Sequence, residues 1–234
     1  EPVSIRAQFR VKGLQPELWD AATGSIRPLP GFEQDGETTV VPLKLDAIES
    51  AFIVFRKKGT PASGDIAANY PDPSVIAVNT PWQVRFESDA VKRGPAETVT
   101  FAEPKDWTLS EDPRIRYYSG TAVYTTRFTL DDVLQNRKWY LDLGKVSAMA
   151  KIKINGQYAG GVWTAPYRTE VTPYLQPGEN TFEIEVVNTW KNRLIGDQGL
   201  PEEEGIVRSS HSEWKADSRL QPSGLMSPVR LLGF

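Results

Sequence analysis

Trp163, Tyr167 and Trp190 each stand where a strand pattern gives way to a loop in the second half of the chain. An aromatic ring in such a place can stack on the apolar C–H face of a pyranose while neighbouring polar groups bond its hydroxyls. Asn188, Asn192, Arg193 and Asp197 follow the strand pattern of Thr181 to Val187 and offer such groups. A structural reading stands beside this one. The rings can belong to a core or to interdomain packing, and Arg193 can pair with Asp197 to lock the loop.

A second candidate is the stretch from Gly196 to Gly224, which holds Glu202, Glu203, Glu204, Arg208, His211, Trp214 and Arg219. It is too long for a bare connector. His211 is the sole histidine and there is no cysteine. Thiol chemistry, disulfides and any mechanism needing two histidines are therefore excluded. A lone loop histidine is more often solvated than catalytic. The acidic run Glu202 to Glu204 has the oxygen chemistry calcium favours, but no Asp-x-Asp-x-Asp loop accompanies it. No Gly-x-Ser-x-Gly elbow and no phosphate-cradling glycine loop is present. With 30 acidic residues, some carboxylate pair spaced for glycoside hydrolysis arises by chance, so the count carries no weight.

The elements that position these residues read as β throughout. In the first part, Ser4 to Val11 alternates apolar and polar residues. Pro16 to Asp20, Ser25 to Leu29, Thr38 to Leu45 and Ala51 to Arg56 add further strands, with Asp35-Gly36 as a hairpin signal. These make a small antiparallel domain over residues 1–58. Gly59, Pro61, Ser63, Gly64, Pro71 and Pro73 interrupt regular pairing and mark residues 59–73 as a linker. Residues 74–234 form a second domain. Its expected strands are Trp82 to Phe86, Glu97 to Phe101, Gly120 to Leu130, Lys138 to Leu143, Met149 to Ile154, Thr169 to Val171, Asn180 to Val187 and Pro228 to Phe234. Asn155-Gly156, Gly160-Gly161 and Pro177-Gly178 read as turns between them, and Asp131 to Gln135 as a single helical turn. Eight short strands with regularly spaced turns predict a jelly-roll or Greek-key sandwich. The fold class is all-β, with two antiparallel sandwich domains.

Several strings within this pattern resemble known enzymes. Ser119-Gly120-Thr121-Ala122-Val123-Tyr124, Leu141-Asp142-Leu143-Gly144, Ile152-Lys153-Ile154-Asn155-Gly156 and Gly160-Gly161-Val162-Trp163 resemble the galactose-binding-like sandwich of family 2 glycoside hydrolases. Ala165 to Leu175, Pro177 to Asn180, Val187 to Asp197 and Gly224 to Leu231 look like the C-terminal region of family 106 α-L-rhamnosidases. Gln15 to Asp20 and Phe52 to Phe55 resemble the β domain after their catalytic barrel. The resemblance implies a non-catalytic accessory region of a glycoside hydrolase acting on plant or host polysaccharide. Its carboxylate pair would lie on a barrel upstream in the same chain. It also implies export to the periplasm or outside the cell. No cofactor is expected, although related sandwiches often carry a structural calcium.

Within that frame the expected carbohydrate contacts are Trp163, Tyr167, Trp190, Asn192, Arg193, Asp197 and Trp214. The alternatives are a purely structural unit packed on the barrel, and a surface sandwich that binds protein. The formal net charge of −3, from 27 basic and 30 acidic residues, provides no field for nucleic acid. No apolar run reaches the length of a membrane span.

Overall fold

In the computed structural model, all residues are described except 22–23, 48, 60–64, 132–136, 199, 202–203, 206, 208–212 and 227. The expected helical turn at Asp131 to Gln135 therefore falls almost wholly outside the described residues. So do Glu202, Glu203, Arg208 and His211. The chain forms two compact units, Glu1–Ser74 with Phe234, and Val75–Gly233.

The first unit contains β1 (Val3–Phe9), β2 (Leu14–Trp19), β3 (Ile26–Pro28), β4 (Glu33–Asp35), β5 (Thr38–Leu45) and β6 (Phe52–Lys58). They build two three-stranded antiparallel sheets, ordered β1-β5-β4 and β3-β2-β6. Leu18, Leu29, Phe32, Val41 and Leu43 fill the space between elements. The stretch read as a linker ends in a short helix, α1 (Ile66–Asn69), capped by the Asp65 carboxylate. Asn69 is fully buried. Its amide donates to the carbonyls of Gly31 (2.6 Å) and Pro42 (3.1 Å) and accepts from the Gly31 N–H (2.7 Å). Those bonds fasten α1 to the first unit.

The second unit is a sandwich. Its strands are β7 (Ser74–Ala77), β8 (Trp82–Phe86), β9 (Val99–Phe101), β10 (Thr121–Leu130), β11 (Trp139–Asp142), β12 (Lys145–Val146), β13 (Met149–Ile154), β14 (Gln157–Val162), β15 (Arg168–Glu170), β16 (Gly178–Val187), β17 (Leu225–Met226) and β18 (Arg230–Gly233). One sheet runs β14-β13-β16-β10-β8-β9 and a second β15-β11-β18-β7, with a two-stranded ribbon of β12 and β17; a short helix, α2 (Pro113–Arg116), lies between β9 and β10 in the sequence. Period-two burial in β10 and β16 turns Ala122, Tyr124, Phe182, Ile184 and Val186 inward. The core also holds three fully buried tryptophans, Trp82, Trp107 and Trp139. Trp107 donates its indole N–H to the Tyr124 hydroxyl at 2.6 Å, so its burial leaves no unpaired donor.

One expected turn is a strand. Gly160-Gly161 lies inside β14, where the β13–β14 register shifts between Ile152 and Lys153. The bulge needs Gly160: its φ is 120°, and a Cβ there would approach Thr169 Oγ1 of β15 to 2.9 Å. The hairpin itself is made by Asn155-Gly156, both at positive φ, as a two-residue connection requires.

Candidate functional site

The register of the large sheet collects the candidate residues at one rim. β16 leaves the sheet at Val187, which pairs with Thr121 at the start of β10 and Met149 at the start of β13. Ala150 in turn faces Val162, the last residue of β14. The segments following β14 and β16, and those preceding β10 and β13, therefore all emerge on the same side. Trp163 follows β14. Asn188 to Trp190 follow β16 and lead into α3 (Lys191–Asp197).

The rings and the polar groups have separate fates at this rim. Trp163 is 65% exposed and Trp190 44%. Trp214 is half-buried, with the Lys191 ammonium 4.1 Å from its ring centroid, a cation–π contact that ties the long loop to the start of α3. Tyr167 is half-buried against the sandwich core, and its carbonyl accepts from the Leu143 N–H at 2.9 Å.

Asn192, Arg193 and Asp197, expected among the sugar contacts, are buried and bonded within the protein. Asn192 is buried to 1% exposure. It donates to the Gln221 carbonyl (2.7 Å) and Ser223 Oγ (2.9 Å), and accepts from the Gln221 N–H (2.8 Å). Both ends of its amide are thus consumed by the returning chain. Asn188 does similar work: its Oδ1 accepts from Gly120 N–H (2.9 Å), and its amide donates to the Tyr118 carbonyl (2.8 Å) and Ser223 Oγ (3.2 Å). Arg193 donates to Asp197 Oδ1 (3.5 Å) and the Lys92 carbonyl (3.2 Å). Burial lowers the Arg193 pKa, opposed by the Asp197 charge. Asp197 also accepts the Val207 N–H at 3.0 Å, and Arg93 bonds the Glu204 carbonyl. The physical reason is common to all of them. A long excursion between β16 and β17 has backbone groups to satisfy, and polar side chains one helical turn apart satisfy them.

Other carboxylates here are similarly engaged. Glu87 accepts from Thr121 N–H and pairs with Lys92, both at 2.9 Å. Asp106 accepts from the N–H groups of Thr108 (2.9 Å) and Ser223 (3.0 Å). Among the described residues, no group of three or more His, Cys, Asp or Glu side chains gathers for a metal ion. No described helix is long and apolar enough to cross a membrane.

Two exposed residues stand outside the expected contacts: Tyr158 on the outer face of β14, 59% exposed, and Met149 at the start of β13, 51% exposed. Taking Gly160-Gly161 as a turn hid the strand that displays Tyr158. The signal was available in Asn155-Gly156, because a two-residue hairpin fixes which following residues face outward. Gln221, Ser223 and Asp106, which complete the polar hub, carry no such signal.

The family described as glycosyl hydrolase 2 galactose-binding domain-like matches residues 101–226, more than half of the chain. A solved rhamnosidase from Novosphingobium sp. PP1Y is 38% identical, superimposes over 100% of this chain with a TM-score of 0.85, and is covered over 22% of its own length. A curated putative β-glucuronidase from Formosa agariphila is 39% identical over 158 residues, 65% of this chain and 13% of that protein. A β-glucuronidase structure from Ruminococcus gnavus, at 16% identity and TM-score 0.51 over 70% of the chain, shares the fold. The chain thus spans less than a quarter of these first two relatives.

Proposed function

The chain belongs to the glycosyl hydrolase 2 galactose-binding domain-like family, and on that premise we propose that it is the non-catalytic, carbohydrate-recognising region of an exported, rhamnosidase-like glycoside hydrolase. The full-length likeness to the Novosphingobium rhamnosidase supports the parent type. Its substrate is then a plant or host polysaccharide, and the catalytic carboxylates belong to another part of the same polypeptide. The observation that carries the recognition role is the exposure of Trp163 and Trp190 at one rim, above a floor of fully bonded Asn188, Asn192 and Ser223. Rigid aromatic faces beside a held backbone are what pyranose stacking requires. Trp214, whose ring holds the Lys191 ammonium, and the half-buried Tyr167 are further contacts in the same proposal.

Titration with L-rhamnose, galactose and pectin-derived oligosaccharides, by calorimetry or by NMR of the indole N–H signals, tests this reading. It is run with and without calcium, since a calcium ion built from scattered loop oxygens belongs to the same proposal. Saturable shifts confined to Trp163 and Trp190 support recognition. Silence across the panel rejects it.

A second reading has its own support in the first unit. Ile26, Trp19 and Phe52 are directly opposite one another across β3, β2 and β6, with Ile26 52% and Phe52 63% exposed. Such an apolar row suits packing against the catalytic part of the parent enzyme. Phe52→Lys should leave this chain's own stability unchanged and lower the melting temperature of the full-length enzyme. An unchanged full-length melt rejects the packing role.

A further inference from the structure

We propose that the recognition face continues from Trp163 along the outer surface of β14 to Tyr158, so that it takes an extended, uncharged oligosaccharide and not a single terminal sugar. This rests on the sugar-binding reading above and adds the ligand's length and charge.

β14 is the outermost strand of the six-stranded sheet. On its outer face Tyr158 is opposite Lys153 and Gly161 is opposite Lys151. Trp163 directly follows Val162, which is opposite Ala150, next to Met149 at the start of β13. The bulge tucks both Ala159 and Gly160 away from this face, so no β14 side chain stands between Tyr158 and Trp163, and the Lys151 ammonium of β13 lies 6.0 Å from the Tyr158 ring centroid. The missing side chain at Gly161 matters: the Tyr158 hydroxyl lies 3.7 Å from where its Cβ would be. The phenol therefore leans along the strand towards Trp163, over bare backbone. From Lys153 to Met149 the strand advances about 13 Å, more than one pyranose ring occupies.

The flanking charges select against acidic sugars. Lys151 pairs with Glu185 at 3.6 Å, and Lys153 with Glu183 at 2.6 Å and Glu185 at 3.0 Å. A uronate would have to compete with these carboxylates for the lysines. Neutral hydroxyls can instead accept from the ammonium groups and donate to the carboxylates without breaking the pairs. An exposed aromatic strip bordered by paired charges suits the flat face of a neutral glycan chain.

The test is calorimetric titration of the whole chain with methyl β-galactoside, with β-1,4-linked galacto-oligosaccharides from the disaccharide to the hexasaccharide, and with oligogalacturonides of matching length. Affinity should rise at least about tenfold between the monosaccharide and the tetra- or hexasaccharide. Tyr158→Ala should remove that rise, and Tyr158→Trp should keep it. Trp163→Ala should weaken every ligand. Tyr158 is exposed, so unfolding curves of its variants should match the parent. Equal affinity for the monosaccharide and all longer chains overturns the inference and spares the recognition role. Preference for oligogalacturonides overturns the neutral-ligand selection. No binding by any sugar overturns both.

Discussion

Replacing Asn192 by alanine separates a strut from a ligand contact. The side chain makes three hydrogen bonds, all to the segment Gln221–Ser223 and all between 2.7 and 2.9 Å. Each such bond is worth about 1 kcal/mol net, and the partners left behind are partly buried, so the loss should come to about 3 kcal/mol. For a unit of this size that corresponds to a melting temperature lower by about 6–12 °C. Urea unfolding followed by tryptophan emission is the assay, since Trp82, Trp107 and Trp139 are fully buried in the same unit. The midpoint should fall with the slope unchanged, because the surface exposed on unfolding is the same. A loss below about 1 kcal/mol would refute the reasoning. So would unchanged stability with abolished sugar binding, which would return Asn192 to the ligand face.

Trp163→Ala, at a 65% exposed position, should change stability by less than about 0.5 kcal/mol while weakening galactoside binding about tenfold; calorimetry and a thermal melt on one sample decide. Gly224→Ala should cost more than about 3 kcal/mol. Its φ is +99°, and a Cβ would meet the buried Trp107 indole at 2.5 Å; wild-type unfolding of that variant would reject the packing described here. Glu17 has its pKa held below the usual glutamate value, first by its hydrogen bond from Arg56 and then by that from Trp19. A depressed folded-state pKa stabilises above the unfolded value and is lost as pH falls through the folded one. The first unit should therefore weaken on acidification below the ordinary glutamate range, and Glu17→Gln should flatten that part of the curve in urea titrations at stepped pH.

The sandwich was legible because its strands alternate. Tyr124, Phe182 and Ile184 announce their inward face by period two, and Asn155-Gly156 fixes one hairpin. The tryptophans were not sorted by the same signal. Trp82 and Trp163 both stand at strand ends in the sequence. The first lies on the inward face of β8 with Val84 and Phe86 and packs against Tyr124, whereas the second lies past the end of β14. Asn192, Arg193 and Asp197 have the composition of a sugar site, and the inward direction of Asn192 depends on a chain segment about 30 residues away returning as Gln221–Ser223, while Arg193 and Asp197 bond the Lys92 carbonyl and the Val207 N–H. No local pattern encodes that return.

The hub that closes this excursion also sets where new sequence can be added. Both ends of the segment between α3 and β17 are fastened, by Asp197 to Val207 on one side and by Asn192 and Asn188 to Gln221 and Ser223 on the other. Extra residues placed between those two anchors lengthen a loop whose ends are already closed. Doubling such a loop costs only about 0.6 kcal/mol in chain entropy. The excursion is therefore a site where lineages, or engineers, can vary length at small cost while Trp214 keeps its contact with Lys191 and the sandwich keeps its register.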